Sequence, residues 1–193
     1  MSALLLALIL TIVLDQGSRS QRTTSRLGDG FGATATVSGG IVLAVIGNAA
    51  LGAIAGRLLA GLMPPDARLL FFAITLLLGG SGLLLVAVHP SARIESDAPA
   101  IRSPLHAIGV LALGRASENT IFAIAGVAAF TQAPLLTTVG AIMGGLAALL
   151  PALFLGRPYR AIMPLGAIAA IAAMILICIG IACAASAMGL LGR

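Results

Sequence analysis

Four ionisable side chains lie in or beside apolar stretches of this chain, where a charge is costly. Asp15 and Arg19 are four residues apart, and Arg115 and Glu118 are three apart, so each pair can meet on one face of a helix. Ionisable groups at membrane depth cost at least ~2.5 kcal/mol and normally face a protein interior or a wet cavity. The pattern predicts a cation or proton site with a carboxylate from each half of the chain. Two internal salt bridges that only pin helices, or a site for another solute, are the alternatives.

Hydroxyl and amide groups beside these charges can supply neutral oxygens to an ion. The predicted site includes Ser18 and Thr120, and its neighbours Ser20, Ser117 and Asn119 are of the same kind. Hydroxyls in membrane helices also bond back to their own helix or join neighbouring helices, which is the alternative role for all of them. Asn48, in another apolar stretch, is expected to hydrogen-bond between helices rather than to contact an ion.

The composition predicts an all-α integral membrane protein. Of the 193 residues, 60% are hydrophobic and 9% are charged, and the mean hydropathy is +1.13. A soluble domain of this size needs more polar surface than that. The net charge of +5 comes from eleven Arg and no Lys, mostly at the ends of apolar runs, where guanidinium groups reach lipid headgroups. The basic charge therefore indicates topology and not nucleic-acid binding.

Six membrane spans are predicted from apolar runs close to the ~20 residues that a helix needs to cross a bilayer. We do not expect the first run to be a signal peptide, because its first positive charge, Arg19, follows the apolar core. We expect one helix from residue 2 to about residue 26. A loop is expected at residues 27–36 and a polar linker at residues 89–104. The other spans are predicted at residues 37–62, 69–88, 105–130, 134–155 and 161–191.

The distribution of arginine predicts the orientation of these spans. One face of the predicted bundle has three arginines, and the other has seven: Arg57, Arg68 and Arg193, against Arg19, Arg22, Arg26, Arg93, Arg102, Arg157 and Arg160. The positive-inside rule then places the linker in the cytoplasm and both termini outside. The absence of Lys beside abundant Ala, Gly and Arg is typical of a GC-rich bacterial genome, so we expect the bacterial inner membrane.

A short repeat predicts an internal duplication. Gly56-Arg57 and Met63-Pro64 return 100 residues later as Gly156-Arg157 and Met163-Pro164. The predicted units are residues 1–88 and 105–193, three spans each, joined by the cytoplasmic linker 89–104. Because three is odd, the second unit is inserted upside down. Inverted repeats of this kind are common in secondary transporters, with the substrate site between the halves near the bilayer midplane.

Two stretches resemble the signatures of the Gdt family of cation/proton antiporters, the family of transmembrane protein 165, within the lysine-exporter-like superfamily. The first, which resembles E-x-G-D-[KR]-[ST], is Asp15-Gln16-Gly17-Ser18-Arg19-Ser20-Gln21. The second is Arg115-Ala116-Ser117-Glu118-Asn119-Thr120. The number of spans, the length and the position of the linker are also similar.

The resemblance implies an antiporter that binds Mn²⁺ or Ca²⁺ with acids of both signatures and exchanges the cation for protons. Asp15 and Glu118 would be the metal ligands, and Ser18 stands where the first signature has a further acid. Arg115 likewise stands where the second signature has an acid. Arg19 and Arg115 are the expected counter-ions.

The expected function is therefore divalent cation/proton exchange by alternating access. A transporter of an anionic or zwitterionic solute, with Arg115 as the binding residue, and a transport-inactive structural membrane protein are the alternatives. No enzyme is expected, since the chain has no H-E-x-x-H, G-x-S-x-G or P-loop motif. The expected partners are the lipid bilayer, the transported cation and protons, with no nucleic acid and no permanently bound cofactor. Whether the protein is a homo-oligomer stays open.

Overall fold

The computed structural model of the protein describes residues 1–16, 18–31, 34–88, 109, 119–155 and 165–190. Within these ranges the regular structure is entirely helical. The seven helices are α1 (Ser2–Asp15), α2 (Arg19–Phe31), α3 (Ala35–Leu62), α4 (Pro65–Val88), α5 (Asn119–Thr131), α6 (Pro134–Leu155) and α7 (Leu165–Ala187).

The helices have the length and the surface of membrane spans. The helices α3, α4, α6 and α7 are each long and apolar enough to cross a bilayer, and α1 with α2, bent by 67°, makes a fifth if the pair is one span. The helix α5 is apolar but shorter, with 13 residues. Large apolar side chains such as Leu43, Leu58 and Leu135 are exposed on the outside of the bundle, as expected where lipid replaces water. The chain is a multi-pass membrane protein.

The first predicted span is not one continuous helix. The helix α1 ends at Asp15, Gln16 is extended, and α2 begins at Arg19. The predicted loop at residues 27–36 is also wrong in its first part, because α2 continues to Phe31. This part of α2 packs closely on α6: a Cβ at Gly28 would collide with the Leu153 carbonyl oxygen. Such tertiary packing overrides the low helix propensity of glycine.

The other predicted spans differ from the helices mainly at their ends. The predicted fifth span coincides with α6, and α4 begins four residues early at Pro65, since proline is favoured in the first turn of a helix. The helix α7 ends at Ala187 and not at residue 191. Gly189 adopts a left-handed backbone conformation (φ 72°) and the Leu190 N–H donates to the Ala185 carbonyl oxygen, a common way for a helix to end. Residues 105–118 and 161–164 of the predicted spans lie outside the described residues, apart from Gly109.

Glycines let one helix of each half pack closely on a helix of the other half. Gly140 and Gly144 of α6 face the Leu4 and Leu8 carbonyl oxygens of α1, and a Cβ on Gly144 would lie 2.6 Å from the latter. Small residues four apart allow this close approach in membranes.

The same motif recurs in α3. Gly52 and Gly56 face the Ile121 and Ala125 carbonyl oxygens of α5. The two glycine segments read Gly52-Ala53-Ile54-Ala55-Gly56 and Gly140-Ala141-Ile142-Met143-Gly144. In packing, α3 therefore corresponds to α6, and α5 corresponds to α1.

The helices α4 and α7 make the most extensive helix pair among the described elements, and their contact is also reciprocal. A Cβ on Gly80 would meet Ile177 and the Ala173 carbonyl oxygen, and a Cβ on Gly180 would meet Leu77 and the Ala73 carbonyl oxygen. Each of these contacts maps onto the other when 100 is added to, or subtracted from, the residue numbers. Such reciprocity is what a two-fold relation between two antiparallel helices produces.

These contacts define two faces of the bundle. Leu4, near the start of α1, packs on Gly140, near the start of α6, and Ala125, near the end of α5, packs on Gly56, near the end of α3. One face of the bundle therefore carries the start of α1, the α3–α4 turn at Met63–Pro64 and the α5–α6 turn at Gln132–Ala133. We call it the N-terminal face. The opposite face carries the end of α6 and the start of α3, since Val37 and Ile41 cluster with Leu149 and Leu153.

Candidate functional site

The candidate site lies at the break between α1 and α2. Gln16 leaves the helix with φ −65° and ψ 120°, and the Gln21 N–H donates to Ser18 Oγ at 3.1 Å. Ser18 therefore caps α2, a role that serine commonly has at the start of a helix. The predicted ligand Ser18 lies at the break, but its oxygen is used by the backbone.

Asp15 is fully buried at this break, with a relative exposure of 0%. Its carboxylate oxygen Oδ1 accepts a hydrogen bond from Thr120 Oγ1 at 3.1 Å. The two residues are 105 positions apart in the chain, so the contact joins the two predicted units. The structure thus brings together two of the predicted site residues.

Asp15 lies where α1 ends, close to the start of α2. It is the last residue of α1, α2 begins four residues later, and its partner Thr120 is the second residue of α5. The amino end of α2 carries partial positive charge, which favours an anion. Broken helices whose amino ends meet an ionised group are typical of the binding sites of secondary transporters.

Gln21 holds the start of α2 against α6. Its side-chain amide donates to Gln16 Oε1 at 3.4 Å and to the Ala148 carbonyl oxygen at 3.3 Å. The contact fixes where α2 leaves the line of α1.

The amino end of α5 is fixed in the same way. Asn119 donates its side-chain amide to the Leu78 carbonyl oxygen of α4 at 3.2 Å. This places Thr120, one residue later, at a defined position relative to α4 as well as to Asp15. Asn119 therefore joins helices, the alternative role considered for it from the sequence.

Asn48 is a buried polar residue for which the sequence predicts a hydrogen bond between helices. It is 5% exposed, and neither its Oδ1 nor its Nδ2 has a hydrogen-bond partner among the described residues. It lies one turn before Gly52 on α3, and Gly52 packs on Ile121. By helical register Asn48 is therefore level with the start of α5, where Thr120 meets Asp15.

A buried amide with no described partner costs free energy and calls for an explanation. The interhelical hydrogen bond expected for Asn48 is not found within the described part of the chain. Only a packed structure reveals this, because an isolated asparagine in an apolar run looks the same whether its amide is bonded or not. The hydroxyls of Thr24 and Ser25 on α2 are also buried and lack partners in that part.

Several predicted site residues lie outside what the structure describes. Glu118 and Arg115 precede α5 and fall in the part of the chain that is not described. Arg19 begins α2, but its side chain is likewise not described. Among the described residues no group of three or more His, Cys, Asp or Glu side chains could hold a metal ion.

The described site thus offers two oxygen groups of the kind that hard cations prefer, the Asp15 carboxylate of α1 and the Thr120 hydroxyl of α5. Its geometry is that of a buried carboxyl group at a helix break. No family model matches this chain, and neither a curated protein nor a solved structure matches it.

Proposed function

We propose that this protein is a secondary transporter that exchanges a divalent cation, Mn²⁺ or Ca²⁺, for protons by alternating access. The observation that carries the proposal is the fully buried Asp15 carboxylate at a helix break, bonded by Thr120 from the other half of the chain. Asp15 is the exchangeable group, which holds the cation when ionised and a proton when the cation leaves.

The position of Asp15 supports a transport role over a purely structural one. A carboxylate within a membrane bundle is costly, and such residues usually mark ion or proton pathways. A break in the helix also frees backbone groups, which membrane proteins tolerate where the backbone is buried in protein or lines a cavity. Both features coincide at Asp15.

The proposed ligand set combines described and undescribed residues. Asp15, Thr120 and Asn48 supply three different oxygens, and Glu118 is proposed as the second carboxylate. Arg19 and Arg115 are proposed as the counter-ions that balance these acids while no cation is bound. The Asn48 amide, which lacks a described partner, acquires one when its oxygen binds the cation.

The architecture proposed for this function is six spans in two inverted three-helix units, residues 1–88 and 105–193. The reciprocal contacts of Gly80 and Gly180 support it, as do the matching contacts that α3 makes with α5 and α6 makes with α1. In this arrangement α1 with α2 forms the first span, and α5 is the end of the fourth. The two units rock against each other around Asp15.

The test is cation uptake into proteoliposomes by the purified protein. Wild type, Asp15→Asn and Glu118→Gln are compared for Mn²⁺ and Ca²⁺ flux, and Asp29→Asn is the matched control because Asp29 is an exposed carboxylate in the same half. We expect flux in wild type and the control and none in the other two variants. Absence of flux from folded wild-type protein would reject divalent-cation transport.

A further inference from the structure

A cavity lies on the N-terminal face, away from Asp15. It has a volume of about 550 Å³ and opens between the α3–α4 turn and the α5–α6 turn. Its polar lining is Arg57, Arg68 and Gln132, and Ala, Gly, Leu and Pro residues form the rest. The cavity thus lies between residues of the two proposed units.

The charge of this cavity is positive. Arg57 has no hydrogen bond or ion pair with any described residue, and the bond described for Arg68 is from its Nε to the Met63 carbonyl oxygen at 2.9 Å. No acid is among the described residues that line the cavity; Asp66, two residues from Arg68, is exposed and outside the lining. Two guanidinium groups facing one space leave several donors for an anion.

Two helix ends add to this positive potential. The helices α4 and α6 begin at Pro65 and Pro134, next to Arg68 and Gln132, and the amino end of a helix favours anions. Gln132 has a positive φ of 53°, which is uncommon for a residue with a side chain. Glycine would adopt this backbone conformation with less strain, but Gln132 adds a side-chain amide to the lining of the cavity.

The cavity is the counterpart of the Asp15 site in the other half. Leu4 and Ile121 correspond in packing, because each faces the first glycine of its pair, Gly140 or Gly52. The same number of residues further on, Asp15 is the last residue of α1 and Gln132 directly follows the last residue of α5. Gly144 corresponds to Gly56, so Ala148, which accepts the Gln21 bond at the first break, corresponds to Ala60, which lines the cavity. One half thus has a carboxylate at this position, and the other has an amide beside two arginines.

We propose that this cavity binds a phosphate-type oxyanion through Arg57, Arg68 and Gln132. The group is either the headgroup phosphate of an anionic lipid or a free phosphate, since both present the same oxygens to the guanidinium groups. This site is distinct from the proposed cation site and does not depend on it.

The experiment measures binding through the thermal unfolding midpoint of the purified protein in a neutral detergent. Three ligands are titrated separately: inorganic phosphate against sodium chloride of equal ionic strength, short-chain phosphatidylglycerol, and short-chain phosphatidylcholine as the zwitterionic control. A midpoint raised by phosphate identifies a free anion as the ligand. A midpoint raised by phosphatidylglycerol, and not by phosphatidylcholine, identifies a lipid headgroup.

The main variant is Arg57→Gln, because Arg57 is exposed and its replacement leaves folding contacts intact. We expect it to weaken binding roughly tenfold, the effect of losing one charged hydrogen bond. Arg26→Gln on the opposite face removes the same charge and is expected to bind as wild type. No midpoint shift with either anionic ligand would overturn the proposal, and so would an equal loss of binding in both variants. Neither result depends on cation flux.

Discussion

Asp15 and Thr120 form the contact on which the proposed transport function depends. Both could be selected from the sequence, because an acid in an apolar run and a hydroxyl near a second charged pair are rare in such a composition. Their contact could not be predicted, since it depends on where α1 ends and how the two halves pack. That Asn48 has no hydrogen-bond partner among the described residues was equally invisible in the sequence.

Replacing Thr120 tests the hydrogen bond to Asp15. Thr120→Val keeps the shape and removes the donor, and we expect the unfolding free energy to fall by about 1–3 kcal/mol, the usual cost of removing a partner from a buried charged group. Cation flux should fall with it. Thr120→Ser keeps the hydroxyl, so its cation flux and its unfolding free energy should be close to those of wild type. Flux assays and thermal unfolding measure the two quantities. Equal flux from Thr120→Val and wild type would show that the bond has no part in transport.

Asn48 allows stability and transport to be separated. Asn48→Leu removes a buried amide that has no described partner, so we expect the unfolding midpoint to stay the same or rise. If the amide oxygen binds the cation, the same variant should lose most of its cation affinity, measured as the concentration for half-maximal flux. A variant that is destabilised and still transports normally would instead place Asn48 in the packing of the bundle.

At the scale of the helices, the sequence predicted the long apolar elements well and the first span badly. Pro134 and the apolar run after it define α6 without further information. The break after Asp15 depends on the Ser18 cap and on the bond from Gln21 to Ala148, a contact between residues 127 positions apart. A local pattern cannot show such a contact.

The glycines at helix contacts give a prediction about packing. Gly144→Ala would place a Cβ 2.6 Å from the Leu8 carbonyl oxygen, so we expect α1 and α6 to separate at a cost of about 1–3 kcal/mol. Gly47→Ala in α3 is the control, because a Cβ there meets nothing within 4 Å. It should be neutral or stabilise by up to about 1 kcal/mol. Thermal unfolding in detergent measures both, and equal midpoints would contradict the packing.

At the scale of the whole molecule, the repeat seen in the sequence and the repeat seen in packing agree only in part. The 100-residue spacing holds for Gly80 and Gly180, but Gly56 corresponds in packing to Gly144 and not to Gly156. The halves therefore differ in length between their second and third helices. A search for one fixed spacing finds only part of such a repeat.

The proposed six spans predict that the amino terminus and the linker at residues 89–104 lie on opposite sides of the membrane. Single cysteines at Ser2 and Asp97 can be labelled with a membrane-impermeant maleimide in oriented vesicles, after Cys178 and Cys183 are replaced by Ala. We expect one position to react from each side, with Asp97→Cys reacting from the cytoplasmic side. Labelling of both from the same side would contradict the six-span topology.

The most direct test of the central claim is proton movement driven by a cation gradient. Proteoliposomes with an internal pH dye are exposed to external Mn²⁺ with no pH gradient, and we expect Mn²⁺ entry to drive protons out and raise the internal pH. Asp15→Asn should abolish this rise, and Asp29→Asn should preserve it. A folded wild-type protein that gives no Mn²⁺-dependent pH change, or an Asp15→Asn variant that responds like wild type, would contradict exchange at Asp15.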